Sequence, residues 1–316
     1  LIPKLLLLLS LSLALYADTI KPTFQLHTTS VVTDFVIEGT RLYAATDAGV
    51  VDVFDLNSKQ IIAQILLEPI RTGRGEIAPA RIHSVDRHHG KTLIVSDSNG
   101  SVFRSVWIHE AGTLQRIIDS RQQLLIKKAR FVNDEQLVLG TFASEIVVYD
   151  YAERSTHYKR DLSQSTLGDI MLGEQHYMMA MADESGTVRL IDVASGAVKQ
   201  VLDSENVDNI YRVAYRNGVV VTAGQDRRLG VYIPNEEAYH IQSDFLIYCA
   251  ALSPSGTTAV YSSGTQSDLQ LFNTRTKVMG SRLVGHRALI NTLVFLNEHE
   301  LFSASDESHI FYWQLP

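Results

Sequence analysis

Seven times along this chain a tight turn runs into a short strand of alternating apolar residues that ends on a large or apolar side chain. The endings are Phe54-Asp55, Ser105-Val106, Tyr149-Asp150, Ile191-Asp192, Tyr232-Ile233, Phe272-Asn273 and Trp313-Gln314, at steps of 51, 44, 42, 41, 40 and 41 residues. A strand-rich period of about 40–45 residues predicts the blades of a β-propeller. A blade buries its faces only against its neighbours, so the repeat argues for one closed ring. Length alone, 316 residues, would suggest two domains.

Within the first repeat, Val31 to Ile37 reads as an inner strand, Gly39-Thr40 as a turn and Arg41 to Ala45 as a second strand. Asp47-Ala48-Gly49 then turns into Val50 to Leu56, and Asn57-Ser58 into Gln60 to Leu66. Strand and turn alternating over about 40 residues make a four-stranded antiparallel meander. Asp, Asn and Gly recur at the turns because tight hairpins require positive φ angles that these residues tolerate. The same pattern places blade ends near residues 66, 118, 161, 202, 242 and 284. The last blade, 285–316, offers only three strands, ending with His309 to Leu315. Residues 23–29 are a spare strand before blade one. The fold expected is therefore all-β: seven blades in one domain, 18–316, with residues 23–29 completing the last blade and removing an exposed edge.

Ahead of the ring, Lys4 precedes an apolar run from Leu5 to Leu15 and then Tyr16-Ala17-Asp18. One positive charge, a short apolar stretch and a small residue before a polar one read as a cleavable secretory signal, residues 1–17, and so as a periplasmic location. The run is shorter than the ~20 residues a membrane span takes. The net charge of −7 does not favour nucleic acid as a partner. The single cysteine, Cys249, lies in an apolar run and reads as a buried structural thiol.

Gly285-His286 stands ahead of Trp313-Gln314 at the spacing of the WD40-repeat family, and Leu301-Phe-Ser-Ala-Ser-Asp-Glu307 lies where that family carries a Ser-rich strand and turn. With Val221-Thr-Ala-Gly-Gln-Asp226 and Ser253-Pro-Ser-Gly256, the chain resembles that family. The resemblance implies a buried hydrogen-bonded set of structural residues. In blade seven these would be His286, Ser303, Glu307 and Trp313, and in blade five only Thr222 and Asp226. The export signal and the stretch Pro69 to Asp86 give a narrower resemblance, to the WD-repeat-like periplasmic accessory proteins of the periplasmic nitrate reductase system. It implies a role beside a molybdenum enzyme, with nitrate reductase subunits or maturation factors as partners and no chemistry of its own.

The longest interval, between blades one and two, carries Arg71 and Arg74 among Gly73 and Gly75. The loops between blades share a rim with the turns between second and third strands, and that rim is expected to receive Arg81, Arg121, Arg212, Arg227, Arg228 and Arg287 as well. An arginine presents a planar fork of donors suited to carboxylates. Such a rim on an acidic protein reads as a docking surface for an acidic partner, unless Glu68, Glu76, Asp119 and Asp208 pair the arginines off. His88-His89 suggests a metal pair, but neighbours on a strand face opposite ways, which favours an exposed turn. Met171, Met178, Met179 and Met181 suggest copper, with blade packing the simpler account. No Ser/His/acid set can be assembled from the spacing, and no Gly-x-Ser-x-Gly elbow occurs. The expectation is a non-catalytic interaction scaffold without cofactor or metal. The alternative is a ligand- or metal-binding, quinoprotein-like ring, for which only Trp107 and Trp313 are available as stacking tryptophans.

Overall fold

The computed structural model describes residues 19–316; the expected signal segment, 1–17, lies outside the described residues. Seven four-stranded antiparallel meanders follow one another along the chain: 32–66, 82–118, 126–161, 167–202, 210–242, 250–283 and 290–314 with 24–27. Each runs from an inner strand beside the central channel to an outer strand at the perimeter. Among the described residues the only helical element is a single 3₁₀ turn, Ser120–Gln122. None of their helices is long and apolar enough to cross a membrane.

The ring is closed by the strand expected to close it. Phe24–His27 pairs antiparallel with His309–Gln314, setting Phe24 opposite Tyr312 and Leu26 opposite Ile310. Leu26 is 1% exposed in an apolar cluster with Phe35, Phe302 and Ile310. A second clasp was not foreseen: Thr19–Ile20 runs parallel to Met279–Leu283, the outer strand of blade six, as a fifth strand. The N-terminal segment thus crosses from blade six to blade seven and pins both.

Between blades, the inward faces of neighbouring sheets interleave into apolar clusters, among them one joining blades three and four through Val138, Ile146, Ile170, Met179 and Met181. Fully burying one such side chain contributes about 1.5–3 kcal/mol. Met179 and Met181 are therefore packing residues, both wholly buried. Blade two departs from the sequence register. Its third strand runs Ser101–Glu110, and Ile108 opposite Leu93 takes the place that Phe54 opposite Leu42 holds in blade one. The ending read at Ser105-Val106 thus lies within this strand, because an unusually long hairpin of polar residues (Ser96, Ser98, Ser101) extends it.

Near the start of the inner strand, six blades carry a register shift: Val32/Asp34, Ile82/Ser84, Ile126/Lys128, Leu167/Asp169, Ile210/Arg212 and Ile290/Thr292. A bulge of this kind re-aims the side chain that follows it. Here it brings Asp34, Lys128, Asp169, Arg212 and Thr292 to the wall of the central channel.

Candidate functional site

The excess length between blades one and two folds as a small hairpin, Ile70–Arg71 against Ile77–Ala78, with Arg71 opposite Ile77. Gly75, at φ 86°, closes its tip in a conformation that glycine adopts without strain. The hairpin is tied to the neighbouring turn of blade two. The Arg71 N–H donates to Asn99 Oδ1 and the Gly100 N–H to the Arg71 carbonyl, both at 2.7 Å. Under it lies a cleft of about 400 Å³ between blades two and three, lined by Ile70, Thr72, Val102, Leu125 and Phe142. Ile77 is 65% and Val102 75% exposed, so apolar surface adjoins the basic tip.

The eight arginines expected on the rim divide into four placements. Arg71, Arg74, Arg81, Arg227 and Arg287 are exposed, and no acidic side chain among the described residues lies within ion-pair distance of them. Arg71 instead donates to the Gly75 carbonyl at 2.9 Å. Arg121 is exposed but engaged: its guanidinium grips Asp119 and holds that carboxyl down at about 2. Arg228 is half-buried, donating to the Glu205 carbonyl at 2.8 Å. Arg212 is a correction. The bulge before it turns it into the channel, where Nη1 lies 3.7 Å from Asp169 and Nη2 donates to the Asn291 carbonyl.

The channel holds a cavity of about 450 Å³ whose wall carries two ion pairs that cross between blades. Lys128 Nζ lies 2.6 Å from Asp169 Oδ1, and Arg130 lies 3.6 Å from Asp34. Burial pushes Lys128 down to about 8. Burial alone would raise Asp169, but Lys128 and Arg212 hold it below its ordinary value. These carboxylates also join blades: Asp34 accepts from the Val85 N–H, Asp86 from Phe131 and Asp169 from Val213, each on the next blade. Cys249, also on the wall, is wholly buried, and burial pushes its thiol up to about 12, so it is a poor nucleophile.

In blade seven, His286, Ser303 and Trp313 meet at one hydroxyl. Ser303 Oγ lies 2.6 Å from His286 Nε2 and 2.7 Å from Trp313 Nε1. The other imidazole nitrogen, Nδ1, lies 3.0 Å from Ser305 Oγ, which donates to Glu307 at 2.7 Å. Ser305 is the member that the sequence did not suggest. Blade five builds the same network with an amide in place of the imidazole. Asn206 Oδ1 accepts from Thr222 Oγ1, and its Nδ2 donates to Asp226 at 3.1 Å. Tyr232, in the register position of Trp313, accepts the Glu205 N–H. The signal for Asn206 was its place 16 residues before Thr222, against 17 from His286 to Ser303.

The histidine pair does not follow the alternation expected of it. His88 ends the inner strand of blade two, and His89-Gly90 forms a two-residue turn with φ 45° and 84°. Positive φ at both residues folds the chain back. It stacks the two rings at 4.0 Å, on one side, facing Asp134 of blade three.

Ring, blades and double clasp define a seven-bladed β-propeller. No protein-family model matches the sequence, and no curated protein matches it. Among solved structures, the chain is similar to the β-propeller domain of Myceliophteria thermophila Cps50 (Swd1), at a TM-score of 0.74 and 14% identity. The match covers 93% of this chain and 99% of that one, so the likeness is one of whole fold.

Proposed function

We propose that this propeller is a non-catalytic scaffold that docks a protein partner through the rim around the Arg71–Arg74 hairpin. The observation that carries the reading is the pairing of two exposed guanidinium groups, which have no acidic partner among the described residues, with a cleft whose apolar wall is made by Val102, Leu125 and Phe142. Buried anchors supply most of the binding energy in an interface, while rim charges steer encounter and fix register. A partner segment with an apolar side chain flanked by carboxylates fits both. We further propose that the protein works in the periplasm as an accessory of the nitrate reductase system, resembling NapL, with reductase subunits or maturation factors as the partner. Support for that partner comes from the sequence resemblance in residues 69–86 and from the export signal.

The test is affinity capture from periplasm by the mature chain, beside Arg71→Glu/Arg74→Glu. Both sites are exposed, so the double variant should unfold within about 0.5 kcal/mol of wild type. Capture of reductase subunits by wild type and its loss in the variant are expected. Equal capture by both chains would remove the hairpin from the reading. Reproducible capture of other proteins alone would remove the reductase.

A further inference from the structure

Two clusters of histidine and acid occur among the described residues, and they differ in what their nitrogens are free to do. In the seam of blade seven, His286, Glu307 and His309 lie close, but both His286 nitrogens are already held by Ser303 and Ser305. A metal there would have to break the network that supports Trp313. The other cluster, His88, His89 and Asp134, lies at the turns that join inner to second strands in blades two and three. These turns stand on the face of the ring opposite the Arg71 hairpin.

His88 Nε2 lies 3.5 Å and His89 Nδ1 3.1 Å from Asp134 Oδ1, and the three donor atoms are all within 4.8 Å of one another. Bonds of about 2.0–2.1 Å in a tetrahedron put neighbouring donors about 3.3 Å apart. The two separations bracket that value; 3.5 Å is too long for a hydrogen bond, while His89 Nδ1 is within hydrogen-bond reach of both Asp134 oxygens, at 3.1 and 3.2 Å, a bond that an incoming metal ion would replace. We propose that His88, His89 and Asp134 form a three-ligand site for a divalent transition metal of the zinc class, with its remaining position open to solvent or to a partner's side chain.

The chemistry of the donors fits that class: two imidazoles and a carboxylate suit zinc, copper(II) or nickel rather than calcium or magnesium. A metal needs neutral imidazole. The Asp134 turn is fixed from below. Lys91 Nζ lies 3.2 Å from the Asp134 carbonyl and 3.0 Å from Tyr151 Oη, and the phenol also donates to that carbonyl. The same ammonium is 3.9 Å from Asp134 Oδ1, which weakens the attraction for a cation. The site is therefore an exchangeable one rather than a structural centre on which folding depends. This inference is independent of the docking reading, since it concerns the other face and other residues.

The experiment is calorimetric titration of Zn²⁺ into untagged, chelator-stripped mature protein at neutral pH, with His89→Ala, Asp134→Asn and His309→Ala in parallel. One equivalent is expected to bind wild type and His309→Ala alike, with affinity lowered by at least about tenfold in His89→Ala and Asp134→Asn. Binding should also weaken as the pH is lowered, because only neutral imidazole ligates the ion. Absence of binding to wild type would overturn the proposal. So would equal affinity in all four proteins, or loss in His309→Ala alone, which would put the ion at the seam. Unchanged thermal unfolding of the stripped variants shows that loss of binding is not loss of fold.

Discussion

The seam of blade seven and the rim of blades two and three use the same residue types in opposite ways. At the seam, His286 is buried, both ring nitrogens have hydroxyl partners, and the chain around it is held by the strand Phe24–His27. At the rim, His89 is exposed, and its near nitrogen faces only the Asp134 carboxylate. A polar group withdrawn from water must have its bonds met by the fold, and it then specifies one arrangement. A polar group left at the surface carries no such obligation, and the bonds it makes can be exchanged for those of a ligand. The same imidazole therefore serves structure in one place and is available for recognition in the other.

The sharpest way to break this contrast is at the latch. Leu26→Asp places a carboxylate with no partner among Phe35, Phe302 and Ile310, and should destabilise the ring by more than about 3 kcal/mol. It should also expose the edge of the His309–Gln314 strand and promote self-association. Urea unfolding and sedimentation measure both. A midpoint at the wild-type value would mean that the ring does not depend on its N-terminal strand.

The next effect is the pH dependence that the seam adds through His286. Burial lowers His286 to about 4, from the ordinary 6.5 expected in the unfolded chain. The unfolded state thus takes up the proton first as pH falls. The stability contributed is complete above about pH 6.5 and is lost progressively toward pH 4. At about 1.4 kcal/mol per pH unit, the loss is roughly 3 kcal/mol. Blade five supplies the control, because Asn206 makes the equivalent bonds without a titrating group. His286→Asn should lower stability at neutral pH but flatten the slope between pH 6.5 and 4. An unchanged slope would assign the acid sensitivity to other groups, with Glu307 and His309 the first to test.

The contrast also separates what the sequence disclosed from what it concealed. The blades were legible because a strand packed on both faces repeats its apolar alternation, and the turns repeat their glycines. The latch was legible because a blade with three strands demands a fourth. The clasp Thr19–Ile20 was not, since two residues carry no period. The side chains of the candidate sites failed for a related reason. Alternation assumes an unbroken strand, and a bulge before Arg212 or a positive φ at His89 breaks it, sending one arginine inward and drawing two histidines together. In blade five, the network was half legible because Thr222 and Asp226 kept the expected types while Asn206 replaced an imidazole.

The smallest effect expected is the most discriminating one. His89→Ala and Asp134→Asn remove exposed groups and leave no buried atom unpaired, so in chelator each should lie within about 0.5 kcal/mol of wild type. A ligand that binds only the folded state adds stability that grows with its concentration, about 2.7 kcal/mol at a hundredfold excess over Kd. Added Zn²⁺ should therefore raise the unfolding midpoint of wild type and of the Arg71→Glu/Arg74→Glu protein, and leave those of His89→Ala and Asp134→Asn where chelator had them. The seam variants, though much less stable, should gain as wild type does, because the folded rim is unchanged in them. If His89→Ala destabilised the stripped protein by as much as the loss of a core contact, the rim cluster would be structural like the seam, and the division between the two regions would fail.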